Sequence, residues 1–176
     1  MELTFYTDYS LRVLMYLGLR RPQLSMISGI AEDYRISRNH LMKVVHGLAR
    51  GGFIRTYRGK GGGLILGRDP RDINIGALVR YTEGALKPAE CFRGADNRCA
   101  ISGACRLAGI LQEACDSFLA TLDRYTLDDL LMRPAELRRR LALPSVRSET
   151  ARRAARMAVT PGAVRPRRKI RKRAKR

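Results

Sequence analysis

The chain has no tryptophan and only two histidines, and its 16 acidic residues are outnumbered by 35 Lys and Arg, a net charge of +19 over 176 residues. With histidine this scarce, no His–acid pair stands beside the cysteines. No metal-hydrolase motif and no dinucleotide fingerprint is present either, so catalysis is not expected. Long apolar runs are missing as well, and none approaches the roughly 18 residues of a membrane span. The N-terminus lacks the basic stretch, apolar run and small-residue cleavage site of an export signal, and Glu2, Asp8 and Arg12 break its hydrophobicity. A cytoplasmic chain without a membrane partner is the expectation. In that compartment disulfides are disfavoured, and grouped cysteines point to metal or redox chemistry.

What is present is positive charge, unevenly placed. Residues 147–176 carry 13 of the basic residues and one acid, Glu149, which accounts for +12 of the +19. The terminal run "RPRRKIRKRAKR" has too little apolar surface to offset the entropy of ordering, so residues 144–176 read as a disordered basic tail suited to nucleic acid. The rest of the chain is also basic, which makes polyanion binding the leading class; a basic RNA-binding protein is the alternative from another class.

Apolar residues make up 45% of the chain, enough for a core. In "TDYSLRVLMYLGLRR" they form a broad helical face, with Thr4 or Thr7 as its cap. "LSMISGIAEDYRIS" predicts a short helix with Ser25 at its start and Ile27, Ile30 and Ala31 on one side. In "SRNHLMKVVHGLARGG", Leu41, Val44, Val45 and Leu48 fall at i, i+3, i+4 and i+7, a single buried stripe. Ser37 is the expected cap and Gly51-Gly52 the stop. The opposite face carries Asn39, Lys43, His46 and Arg50, with Arg38 and His40 at the exposed N-terminal end.

Next, "FIRTY" and "LILG" flank "RGKGGG", two strands joined by a basic glycine turn. That turn lacks the spacing and Ser or Thr of a phosphate-binding P-loop. Helix, short helix, helix and hairpin is the order of a winged helix-turn-helix, so the fold class is mainly α with a small β-hairpin wing and a long dimerisation helix. Residues 72–82 predict a further short helix capped by Asp72. From Arg106 onward, Leu107, Ile110, Leu111, Ala114, Phe118, Leu122 and Tyr125 recur at helical spacing. A symmetric partner helix is the economical cover for that face, giving a homodimer.

The expected organisation is a DNA-binding domain over 1–82, a cysteine loop over 83–105, a dimerisation helix with a helical segment over 106–143, and the tail. A two-fold dimer matches a palindromic operator in double-stranded DNA. Ser28, Ser37, Arg38, Asn39, His40 and Lys43 on the helices, with Arg58 and Lys60 on the wing, are the expected DNA contacts.

"CFRGADNRCAISGAC" holds Cys91, Cys99 and Cys105 with seven and then five residues between them. Zinc hairpins use tighter C-x2-C pairs, and the two histidines sit on the expected DNA face. An iron–sulfur cluster accepts thiolates from a longer, glycine-bearing loop and is preferred, with zinc and unligated redox-active thiols as the alternatives. Cys115 lies on the apolar side of the long helix, where a cysteine serves as a small hydrophobe.

"LTFYTDYSLRVLMYL", "SRNHLMKVVHGLARGGFI", "RGKGGGLIL", "YTEG", "ECF" and "DRYTLDDLL" together resemble the iron–sulfur winged-helix regulators over residues 1–132, and within them the nitric-oxide-sensing branch. The resemblance implies a dimeric DNA-binding repressor whose cluster, 4Fe-4S in preference to 2Fe-2S, is held by Cys91, Cys99 and Cys105. It also implies an acid near the partner chain's N-terminus as fourth ligand, and Asp8 stands at that place; as a local residue, Asp8 would instead favour the helix start and pair with Arg12. Nitric oxide is the implied signal, its attack on the cluster releasing the operator. The cluster-biogenesis branch would place a His two residues after the last cysteine, where this chain has Leu107. An iron-responsive branch shares "ECF" and three cysteines, so an iron- or redox-responsive regulator is the nearest alternative.

Overall fold

A computed structural model of the chain describes residues 2–59 and 61–143; Lys60 and the basic tail expected over 144–176 lie outside the described residues. Residues Met1–Ala142 form one unit and Leu143–Arg176 a second, of which only Leu143 is described. The first unit is mainly helical with one antiparallel two-stranded sheet, as the periodicity predicts.

Helix α1 (Phe5–Arg20) is the centre of that unit. Its cap is Thr4, whose hydroxyl accepts from the Thr7 amide; Thr7 itself lies inside the helix and is fully buried. Val13, Leu14 and Leu17 are all but inaccessible, and each such side chain contributes about 1.5–3 kcal/mol by leaving water. Around α1 pack α3 (Arg38–Arg50), α4 (Ile75–Glu83), strand β2 (Gly63–Leu66), α6 (Leu127–Leu130) and α7 (Pro134–Arg140). α2 (Ile27–Tyr34) packs on α3, which buries the predicted stripe of Leu41, Val44, Val45 and Leu48.

Two caps differ from the sequence expectation, both for tertiary reasons. α2 is capped by Met26, with no side-chain bond, because the preceding Ser25 is engaged in a backbone bridge: it donates to the Leu64 carbonyl at 2.9 Å and accepts from the Leu64 amide at 2.8 Å. The cap of α4 is Asn74, not Asp72, which closes a short 3-10 turn instead. Asn74 accepts from the Ala77 amide at 2.8 Å while its own amide donates to the Asp123 carbonyl at 2.6 Å. An ionised carboxylate has no proton for the second bond. Ser37 precedes α3 as expected, without a side-chain cap bond.

Strand β1 (Ile54–Tyr57) pairs antiparallel with β2, from Ile54↔Leu66 to Tyr57↔Gly63. At the turn a side chain on Gly62 would put its Cβ 2.2 Å from the Tyr57 carbonyl oxygen, so the hairpin closes only with glycine there.

The long helix α5 (Arg106–Asp123) runs about 27 Å. Its C-terminal end is stitched to the start of α4: Ile75 donates to the Tyr125 carbonyl, Leu127 donates to the Ile73 carbonyl, and the Arg80 guanidinium clasps the Asp123 carboxylate at 2.5 and 2.7 Å. Towards its N-terminus Leu107 and Ile110 are more than half exposed, an apolar face left open within one chain. α6 carries a reciprocal capping box between Thr126 and Asp129, and Arg138 of α7 donates to the Leu19 carbonyl. Among the described residues no helix is long and apolar enough to cross a membrane.

Candidate nucleic-acid interface and cysteine loop

The burial of one stripe of α3 fixes what the other side presents. Ser37, Arg38, Asn39, His40, Lys43 and His46 are all exposed, and five side chains of this helix, Asn39, His40, Met42, Lys43 and His46, line one surface depression. Met42 was not anticipated on this face. It lies three residues after Asn39 and is 47% exposed, and its spacing from Asn39 is the signal that places it there.

A second cleft lies between the start of α2, the start of α3 and the wing. Ser28, Arg38 and Arg58 line it together with Met26, Thr56 and Tyr57. Three of the expected DNA-contacting side chains are therefore gathered on one concavity. Two arginines and the uncapped amino end of α2 give it the donors and positive potential that a phosphate seeks. Lys60 lies outside the described residues.

On the other side of α3, His40 and Lys43 border an apolar hollow shared with Phe5, Tyr6, Tyr9 and Val44. The rings of Phe5, Tyr9 and His40 follow one another at centroid distances of 5.9 and 6.3 Å. Asp8 is on the same helical turn, bound through Arg12 at 2.8 and 2.9 Å, the i,i+4 pairing expected of it as a local residue. Arg12 also lies over the rings of Tyr9 and Tyr34. Burial, only partly opposed by Arg12, pushes the Tyr34 hydroxyl up to about 12, so it stays neutral.

The cysteine loop is built differently. Cys91 lies in a 3-10 turn, Cys99 in an irregular stretch with its amide donating to the Asn97 side chain, and Cys105 at the cap position of α5. All three are free thiols of intermediate exposure, whereas Cys115 is buried as expected. Among the described residues, the hydrogen bonds from Ala85 to Ala104 run only within the loop, such as Arg98 to Glu90 and Asn97 to Ser102. Among the described residues no three His, Cys, Asp or Glu side chains are drawn together into a metal-ligating group. The donor set nevertheless suits iron and sulfide, with three free thiols on one loop. Asp8, on α1, is paired with Arg12.

Residues 3–133 match the family described as Rrf2, iron-dependent transcriptional regulator. The chain is 51% identical over 144 residues to the HTH-type transcriptional regulator NsrR of Bacillus subtilis, a match covering 81% of this chain and 99% of that one. Among solved structures it is similar to a transcriptional regulator from Listeria innocua (TM-score 0.60, 25% identity, covering 76% of this chain and 88% of that one). It is also similar to T. potens IscR (TM-score 0.58, 25% identity, 74% and 86%). These relatives are regulators and not enzymes, in keeping with the missing catalytic motifs. The winged arrangement of α1 to β2 and the run of matched residues lead to one conclusion: the chain belongs to the Rrf2 family of transcriptional regulators.

Proposed function

We propose that this protein is a dimeric, DNA-binding repressor that loses its operator when nitric oxide reacts with an iron–sulfur cluster held on the 84–105 loop. The observation that carries the reading is the loop itself: three free, half-exposed thiols in a segment whose bonds between Ala85 and Ala104 stay, among the described residues, within it, in a chain half identical to an NsrR. Cys91, Cys99 and Cys105 would hold the cluster, and Asp8 of a second copy would complete it with an oxygen ligand. When bound, such a cluster supplies an iron site with which a small neutral diatomic reacts, more open than four thiolates would leave it.

The chain's own residues do the rest. A half-exposed i,i+4 ion pair holds Asp8 to Arg12 by only about 0.3–0.5 kcal/mol, so its carboxylate is available to another cation. Thiolates engaged as ligands fix a loop that has no apolar core of its own; thiols released from that duty leave it to its local turns. α5 offers Leu107 and Ile110 as the face for a symmetric copy, and the two α3 helices then enter successive major grooves. Asn39, Lys43 and His46 read base edges, while Ser28, Ser37, Arg38, His40 and Arg58 hold phosphates. In this division residues 1–82 read DNA, 83–105 sense, and 106–143 pair the subunits. The tail, residues 147–176, adds salt-dependent affinity without sequence preference, and its deletion should lower the salt slope of binding.

The test is native mass spectrometry of protein purified without oxygen, before and after titration with nitric oxide. A dimer carrying a 4Fe-4S mass that is lost on titration, together with operator binding, supports the proposal. A zinc-loaded or metal-free dimer indifferent to nitric oxide overturns it. An iron-responsive regulator is the second reading, favoured by the match to a family described as iron-dependent transcriptional regulator; iron depletion that releases the operator while nitric oxide does not would select it.

A further inference from the structure

The last three residues of α4 make three separate connections, and the cysteine loop begins immediately after them. Glu83 accepts from the amide and the hydroxyl of Thr4 at 2.8 and 2.9 Å, and Thr82 accepts from the Thr7 hydroxyl at 2.7 Å. All three bonds go to α1 or its cap. Tyr81 reaches elsewhere: its hydroxyl donates to the Gly47 carbonyl of α3 at 2.8 Å. Gly84 then turns the chain with φ 66° and the loop departs.

The seat for Tyr81 on α3 is made to measure. The Gly47 carbonyl already accepts from the Gly51 amide at 3.0 Å, so the Tyr81 hydroxyl is a second donor on the last turn of the helix. A Cβ on Gly51 would lie 2.9 Å from the Tyr81 ring, and one on Gly47 would run into the Tyr6 hydroxyl. The Tyr81 ring packs against Phe53 with centroids 5.4 Å apart, just beyond the end of α3. The bare backbone at Gly51, the Phe53 ring and the Gly47 carbonyl therefore hold the phenol against α3, while the space at Gly47 is filled by Tyr6. Gly47 directly follows His46 of the exposed face.

We propose that Tyr81 is a positioning residue for DNA reading: through its bond to the Gly47 carbonyl the last turn of α4 sets the orientation of α3, and a change in the 84–105 loop reaches the reading helix directly. The transmission part rests on the function proposed above. α1 and its cap Thr4 are linked to α4 by three bonds of their own, so the Tyr81 path is a second, shorter connection between loop and reading helix.

The experiment uses the full-length protein, an operator duplex selected by it from a random pool, and the variants Tyr81→Phe, Cys99→Ala and their combination. Tyr81→Phe keeps the ring on Phe53 and removes one hydrogen bond. It should weaken operator binding about three- to tenfold, leave the cluster's absorbance unchanged, and speed amide hydrogen exchange over residues 47–52. In its background Cys99→Ala should cost less affinity than in the wild type. If Cys99→Ala leaves wild-type affinity untouched while Tyr81→Phe lowers it and speeds exchange, the cluster reading fails and Tyr81 stands as the residue that positions α3. Full additivity of two substitutions that each weaken binding overturns the transmission. Unchanged affinity and exchange in Tyr81→Phe overturn the whole proposal, whatever Cys99→Ala does; a lower unfolding temperature with unchanged affinity counts the same way, as a structural role only.

Discussion

Residues 5–83 and residues 84–105 lie side by side in the chain and are held in place by different physics. The first segment buries Leu14, Leu17, Ile30, Leu41, Leu48, Ile73 and Leu78 completely, and its helices and wing follow from that burial. The second has no fully buried side chain, and its bonds are short-range turns of its own making. A region built on burial has its stability with or without a ligand. One built on local turns takes its shape from whatever its cysteines hold, which is what a sensing element requires.

The sharpest way to break this comparison is Cys99→Ala or its equivalents at Cys91 and Cys105. Operator affinity should collapse to the sequence-independent level, a loss of about a thousandfold or more, with the cluster's absorbance gone. The unfolding of the helical unit should barely move, and Cys115→Ala should retain both cluster and binding. A large fall in unfolding temperature for Cys99→Ala would show the two regions to be one cooperative structure. The reverse experiment is Leu14→Ala, which should cost about 2–5 kcal/mol in denaturant unfolding because it opens a cavity at the centre of the unit.

Smaller in effect, Lys43→Ala should weaken operator binding and lower its salt slope by about one, with the absorbance spectrum unchanged. That outcome would place DNA reading in the first region and sensing in the second. Smallest is the response to acid. The Asp123 carboxyl is held below its ordinary range by the bond from Arg80, Asp129 by the Thr126 amide and hydroxyl, and Asp69 chiefly by the Arg71 amide. Carboxyls lowered on folding stabilise the folded state above their unfolded range, and that contribution fades as pH falls through the folded values. The unfolding midpoint should therefore drop modestly below about pH 4, and less so in Asp123→Asn, which has already lost its share.

How far each region could be read from sequence follows the same division. The stripe Leu41, Val44, Val45 and Leu48 announced α3 and its exposed face because burial imposes a period that survives in the letters. The wing was legible from glycine and alternating strands. Ser25 and Asp72 misled as caps because the deciding bonds, to Leu64 and to Asp123 from Asn74, come from residues distant in the chain. The apolar face of α5 was assigned to a symmetric partner; its outer half is open within one chain, but its end is tied to α4 by pairings that have no local signature. Met42 was passed over because an apolar residue counts towards the core in a periodicity argument. The cysteines themselves were visible from spacing alone, yet spacing carries no information on how such a loop arranges them.

The bond between Thr4 and Glu83 has a practical consequence. Because both the amide and the hydroxyl of Thr4 are committed to the end of α4, whatever precedes Thr4 leaves the molecule beside the point where the cysteine loop begins. An affinity tag or fluorescent fusion at the N-terminus would crowd that exit and disturb the response under study. Labels for this protein belong on the exposed flank of α7, at Arg139 or Arg140, where no reading or sensing residue is near in sequence.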